Sequence, residues 1–322
     1  MSFLLIIVLI IITILLGKLA VKLGFSEVVG QLLAGVILGT SLLNWVQSTA
    51  LIHLLAEIGI AMLMFHSGLS SDLKVMKQHI KASSAIAVFG VVVPVLVMPL
   101  AFILLGYDLR VALFAGVVFA ATSISITLAV LAEQRKLATS LGAIILSAAI
   151  LDDVIALIAM TVFSVVLGGQ LGLGGLVPLV AFTVGILIKK YTLADYLGKG
   201  TAMAGKWFFY PIFFGSIGLT LALPSTSDKI IAIIIFSILA ILTKLIGSFL
   251  GAKLSGLSSS VATAIGAGMV SRGEMALVII QIGISSGIVS QNLSSEMIVT
   301  VMITTIVAPL IMKPLFKNIK EL

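Results

Sequence analysis

Apolar runs of about twenty residues follow one another along almost the whole chain, with only short polar stretches between them. Each is long enough to cross a hydrocarbon core of ~30 Å. A chain made of such runs cannot hide them inside a soluble globule, because 10% charged residues over 322 positions leave too little polar surface to cover one. In lipid every backbone N–H and C=O must be satisfied within the protein, which admits helices or closed barrels. The runs are continuous rather than alternating apolar with polar, so the expected fold is all-α and polytopic, one transmembrane domain over residues 1–322. The first run lacks a positive leading region and a small-residue cleavage site, and is taken as a span rather than a signal peptide. Cysteine is absent, which excludes thiolate chemistry.

Hydropathy and helix breakers predict about 11 transmembrane helices, near residues 3–24, 28–46, 51–70, 82–106, 109–133, 138–168, 173–190, 206–223, 229–253, 258–288 and 295–316. The basic residues test that count. Lys18, Lys22, Lys74, Lys77, Lys81, Arg135, Lys136, Lys189, Lys190, Lys199, Lys206, Lys253, Lys313, Lys317 and Lys320 all fall on one side, whereas the other side carries Arg110 and Lys229. The positive-inside rule then puts the N-terminus outside and the C-terminus in the cytoplasm of a cell (inner or plasma) membrane. The net charge of +7 is thereby explained by orientation, and nucleic acid is not an expected partner.

Deep charges are few: Glu57, Asp152, Asp153, Lys244, Arg272 and Glu274. Asp152 and Asp153 lie more than ten apolar or small residues from either end of their span. Side chains so short cannot snorkel out, so each must be paired, protonated or bound to a cation. Neighbours in sequence point about 100° apart on a helix, which lets one face a cavity and the other a different helix. A carboxyl so placed can take a proton at one membrane face and exchange it for a cation at the other. The plainer alternative is that both acids brace helix contacts. Lys244 is nine residues from Lys253 at the inner end of its span. It either pairs with one of the aspartates or snorkels inward over Gly247 and Gly251.

Two spans read as interrupted helices. One carries Thr122, Ser123, Ser125 and Thr127; the other carries Arg272, Gly273 and Glu274 at mid-length. Irregular backbone at depth is tolerated beside a cavity or within protein, where freed carbonyls and helix ends can hold an ion. The hydroxyls alone say little, since Ser and Thr often bond back to their own helix. The breaks occupy equivalent places in two halves, helices 4–6 and 9–11, as in an inverted repeat. Glu57 either lines an entry funnel or caps a contact, and His66 on the same helix is expected to be a packing residue.

The segments GQLLAGVILG, EIGIAMLMFHSGL, ATSISIT, AILDDV, FFYPIFFGSIGL and GMVSRGEMAL resemble the motifs of the monovalent cation/proton antiporters, the NapA/Kef-like branch above all, with an NhaA/NapA-like fold. The resemblance implies that Asp153, second of the pair, is the principal cation and proton carrier, and that Asp152 pairs with Lys244. It implies Thr122, Ser123 and freed carbonyls as further ligands for the monovalent cation, and electrogenic exchange of Na⁺, or of Li⁺ or K⁺, for H⁺. Arg272 and Glu274 would compensate the facing half-helix ends. It further implies a transporter rather than an enzyme, no cofactor, and a homodimer in membrane lipid. Residues about 1–70 and 173–223 would be scaffold, and residues about 82–168 and 229–316 the ion-carrying core. Gln-Asp relatives gated by glutathione carry a nucleotide-binding domain, which is not expected here because the chain stops within about ten residues of the last span.

Two features depart from that pattern. The interval between Asp153 and Lys244 is shorter than in full-length members by roughly two helices after the QLGLGGL loop, and Ser70 stands where many relatives carry an acid. Two other functions compete: a sodium-coupled organic-anion symporter of bile-acid type, and a degenerate membrane partner or sensor without turnover.

Overall fold

The computed structural model describes residues 2–70, 78–166, 173–191, 193–224, 226–317 and 319. Lys74, Lys77 and Lys320, and residues 170–172 of the QLGLGGL loop, lie outside them. Among the described residues the chain is all helix and connection, with no strand. The helices are α1 (Ser2–Lys22), α2 (Glu27–Leu38), α3 (Ala50–Ser70), α4 (Ile80–Leu104), α5 (Leu109–Val118), α6 (Ile124–Glu133), α7 (Ser140–Val166), α8 (Leu173–Ile188), α9 (Leu193–Ala204), α10 (Tyr210–Leu219), α11 (Ser227–Leu254), α12 (Ser259–Gly268), α13 (Glu274–Ser285) and α14 (Gln291–Lys317). Among them α1, α3, α4, α7, α11 and α14 are each long and apolar enough to cross a bilayer alone.

Two predicted spans have different bounds. The run at 28–46 is helical only to Leu38; beyond Gly39 the chain folds back, and the N–H groups of Trp45 and Val46 both donate to the Leu38 carbonyl. Asn44 takes a left-handed conformation (φ 51°) in that turn. Apolar Leu42, Leu43, Trp45 and Val46 made the segment look like helix, although its backbone is a tight return. The span expected at 206–223 instead belongs to a helical stretch that starts at Leu193 and ends at Leu219. It passes through a π turn, Gly205–Phe209, directly ahead of Pro211. Proline supplies no N–H to the ladder, and a wider turn accommodates that gap.

The helices group into two compact units, Met1–Ser71 with Gln170–Leu223 and Asp72–Gly169 with Pro224–Leu322. In the first, α2 crosses α10 at glycine: a Cβ on Gly35 would lie 2.1 Å from the Gly215 carbonyl oxygen, and one on Gly218 would lie 2.2 Å from that of Leu32. Close approach through small residues is the usual way that helices associate where lipid removes the hydrophobic drive. Ile6, Leu9, Leu38, Ile52, Ile212 and Leu219 pack beside this crossing. Within the same unit α3 packs against α8, where a Cβ on Gly68 would meet the Phe182 carbonyl oxygen at 2.2 Å.

In the second unit α4 and α11 lie side by side, with α7, α12 and α14 packed around them. Its core is apolar, built on Ile86, Leu131, Ile145, Ile265, Val270 and Phe316 among others. The outward faces are apolar too: Leu96, Leu100 and Leu104 on α4 and Ile231, Ile234 and Ile238 on α11 are all exposed. The charged side chains at mid-depth, Asp152, Asp153, Lys244 and Arg272, are buried while aliphatic ones face outward, the arrangement that a lipid solvent selects.

Aromatic residues fasten one end of this unit. Phe102 stacks on Phe236 with centroids 4.0 Å apart, and Tyr107, in the α4–α5 connection, leans on both. The Tyr107 hydroxyl donates to a Glu296 carboxylate oxygen at 2.9 Å. Burial, then the hydrogen bond and negative charge of Glu296, push the Tyr107 phenol from its ordinary 10.0 up to about 12. A group whose pKa is raised by folding loses its contribution as pH climbs from the unfolded value to the folded one. Thermal stability is therefore expected to fall between pH 10 and 12, and Tyr107→Phe to make that fall shallower, measured as melting temperature in detergent across the range.

Candidate functional site

The site begins with two helices that stop and restart. Between α5 and α6, residues 119–123 are non-helical, and between α12 and α13, residues 269–273 are. The first break, Phe119-Ala-Ala-Thr-Ser123, contains neither Gly nor Pro. It is held open by partners on other helices. The Ser123 N–H donates to the Ser271 carbonyl at 2.8 Å, and the Ser271 hydroxyl returns a bond to the Ser123 carbonyl at 2.8 Å, so the two breaks lace together. Thr127 adds hydroxyl bonds to the Gly268 carbonyl (2.7 Å) and to Ser271 (2.9 Å). Gly273 is required for this approach, since a Cβ there would lie 2.8 Å from the Ser123 hydroxyl oxygen.

Three of the four half-helix ends meet a charge of the sign that the dipole calls for, and the fourth, the C-terminus of α12, is met by the Thr127 and Thr122 hydroxyls. The carbonyls of Ala120 and Ala121, beyond the C-terminus of α5, accept from Lys244 Nζ and from an Arg272 Nη (3.2 Å) respectively. Arg272 is fully buried; it also donates to the Ala240 carbonyl at 2.6 Å and lies over the Phe119 ring. At the facing N-termini, Glu274 in the first turn of α13 accepts from Ser123 (2.8 Å) and Ser125 (2.9 Å), at and just inside the start of α6. Cations at C-terminal carbonyls and a carboxylate at two N-termini are the arrangement favoured by the helix dipole.

The two aspartates sit on the middle of α7. Asp152 Oδ1 and Lys244 Nζ are 2.5 Å apart, and both side chains have zero solvent exposure. Lys244 does not run inward over Gly247 and Gly251. Those glycines are filled by the backbone of α4, a Cβ on either lying 2.4 Å from a carbonyl oxygen, of Phe89 and Ala85 respectively. Asp153 points elsewhere, 5% exposed, and its Oδ1 is buried without a hydrogen-bond partner. Its charged neighbours are Asp152, Glu274 and Lys244. A buried carboxyl in that state requires a proton or a cation.

The remaining candidates divide. Thr122 bonds to the Met269 carbonyl at 3.3 Å and its hydroxyl also reaches Asp152, whereas the Ser123 hydroxyl bonds to Glu274 and serves the interlocked breaks. Glu57 and Ser70 are exposed on α3, and His66 is partly buried there. Sequence reasoning overlooked Ser271, Thr305 and the Tyr107–Glu296 pair. Ser271 stands next to Arg272 in the quoted motif, and Thr305 donates to the Arg272 carbonyl. Their roles depend on which helix lies opposite, a matter that periodicity does not report.

An all-helical membrane protein with two interlocked broken helices and a fully buried carboxylate–ammonium pair beside them belongs to the class built for moving ions. The comparisons with known proteins agree. The model of the family described as "Sodium/hydrogen exchanger, transmembrane" matches residues 6–178 and 173–318, and the chain belongs to that family. It is 32% identical over 336 aligned residues to a Na⁺/H⁺ antiporter of Enterococcus hirae, covering 86% of this chain and 88% of that one. It is 29% identical to the Na⁺/H⁺-K⁺ antiporter GerN of Bacillus cereus, covering 86% of each. Its fold is similar to that of the sodium proton antiporter MjNhaP1 from Methanocaldococcus jannaschii, with a TM-score of 0.75 over 99% of both chains at 15% identity.

Proposed function

We propose that this protein exchanges a monovalent cation for protons across a cell membrane by alternating access, with Na⁺ as the first candidate and Li⁺ or K⁺ as the others. The observation that carries the reading is the unequal fate of two adjacent acids. Each acid leaves one buried oxygen unpartnered, but Asp152 is neutralised by Lys244 at 2.5 Å, while Asp153 beside it has no ion-pair partner among the described residues. Asp153 carries either the proton or the cation, and their competition for one carboxyl couples the two fluxes. A cation that draws on Asp152 as well displaces Lys244, and the displaced charge makes the exchange electrogenic. Thr122, already beside Asp152, joins the coordination in that state, and Ser123 joins by turning from Glu274.

Residues 82–168 and 229–316, which hold every group of the site, form the moving core of an inverted repeat, and residues 1–70 and 173–223 the scaffold. The partition of lysine and arginine supports an N-terminus outside and a C-terminus in the cytoplasm. Family membership supports a homodimer in membrane lipid. The family model matches in two stretches that meet at residues 173–178, which supports a chain about two helices shorter than usual at that point.

The test is pH-gradient dissipation in proteoliposomes, with Na⁺, Li⁺ and K⁺ added in turn. At least one cation is expected to drive proton movement at a rate that responds to membrane potential. Proton movement indifferent to all three overturns the reading.

A further inference from the structure

Lys244 lies on α11 with two other hydroxyl residues nearby on the same helix, Ser237 and Thr243, and both bond back to carbonyls one turn earlier, at 2.7 Å each. Ser248, one turn beyond Lys244, behaves differently. It is fully buried and its hydroxyl has no partner. A buried hydroxyl left unsatisfied is destabilising, and the usual remedy of bonding to the preceding turn was open to it.

The Ser248 hydroxyl is turned toward α4 at Gly90. A Cβ on that glycine would lie 2.8 Å from Ser248 Oγ and 3.6 Å from Lys244 Nζ. The orphan hydroxyl and the ammonium therefore border one small space, which Gly90 leaves free. Residues four apart on a helix share a face, and the lysine stem has the rotatable bonds to swing between neighbours on it. The hydroxyl oxygen accepts from an ammonium and its hydrogen donates to a neutral amine, so the seat serves either form of the lysine.

We infer that Ser248 is the second resting place of Lys244, a positioning residue that receives the Nζ group over Gly90 when a cation displaces it from Asp152. This rests on the exchange reading above and adds to it the group that holds the lysine in the cation-loaded state. Without such a seat a displaced ammonium would be stranded in the core, at a cost that falls on cation binding.

The experiment is exchange by the full chain in proteoliposomes, with Na⁺ varied at fixed pH. Ser248→Ala is expected to raise the Na⁺ concentration for half-maximal exchange about ten-fold, the order of a hydrogen bond to a charged group, with the rate at saturating Na⁺ within about two-fold of wild type. Ser248→Cys, which keeps the size and weakens the acceptor, is expected to shift in the same direction, and it serves if the alanine variant does not fold. Gly90→Ala, by crowding the hydroxyl, is expected to match Ser248→Ala and to add nothing to it in the double variant. Half-saturation unchanged in a folded Ser248 variant, or a fall in saturating rate with half-saturation unmoved, overturns the inference. Asp153→Asn run beside them separates the two claims: exchange that needs Asp153 but ignores Ser248 removes the seat alone, whereas exchange that ignores Asp153 removes the reading beneath it.

Discussion

Asp153→Asn is expected to reduce cation-driven proton movement to the level of protein-free vesicles while leaving the fold intact. The amide matches the carboxyl in shape but carries neither a charge nor an exchangeable acid proton, so it can serve neither half of the competition. Asp153 makes no ion pair among the described residues and its Oδ1 has no partner, so no ion pair is lost with the charge. Binding gives an independent readout. A cation at 100 times its Kd stabilises wild type by about 2.7 kcal/mol, and the corresponding rise in melting temperature is expected to vanish in Asp153→Asn. Transport that persists in this variant would move the carrier to another acid, and Glu274, one of its charged neighbours, would be next.

The second large effect is on stability. Lys244→Ala leaves Asp152 buried without its ion-pair partner, Arg272 remaining as a nearby cation, and strips the Ala120 carbonyl of its donor. Breaking a buried pair from one side costs about 3–5 kcal/mol, so the single variant is expected to melt far below wild type in detergent. Asp152→Asn added to Lys244→Ala removes the stranded charge and is expected to recover most of that loss without recovering electrogenic exchange. The double variant melting no higher than the single one would mean that the carbonyl contact, rather than the ion pair, supplies the stability. The pair thus separates two roles that wild type combines, holding the core together and setting the charge moved in each cycle.

These expectations draw unequally on sequence and structure. The deep charges were visible in the sequence because each is an exception in an apolar run, and a membrane tolerates such exceptions only where they are satisfied or used. The breaks were visible less evenly. Gly273 between Arg272 and Glu274 announces the second, whereas Phe119–Ser123 has no helix breaker and was marked only by its hydroxyls. Seven residues at 40–46 looked like helix and are a return loop, since apolar content says that a segment is buried or lipid-facing and not which way its backbone runs. The stretch at 193–204 looked like loop because it is more polar, and it is helix.

The environment and the actors follow from the residues alone: continuous apolar runs leave a chain no solvent but lipid, and in lipid the backbone has to be helical and the few ionisable groups have to matter. The pairing comes from the packed helices. Asp152 rather than Asp153 faces Lys244, the carbonyls of Ala120 and Ala121 end on Lys244 and Arg272, and the Ser248 hydroxyl is left over beside Gly90. Adjacent residues on α7 point about 100° apart, so which of them meets a lysine on α11, 92 positions along the chain, is set by how the helices are rotated and crossed. That rotation is fixed by close contacts such as Gly247 on Phe89 and Gly251 on Ala85, and contacts of that kind exist only once the helices have packed.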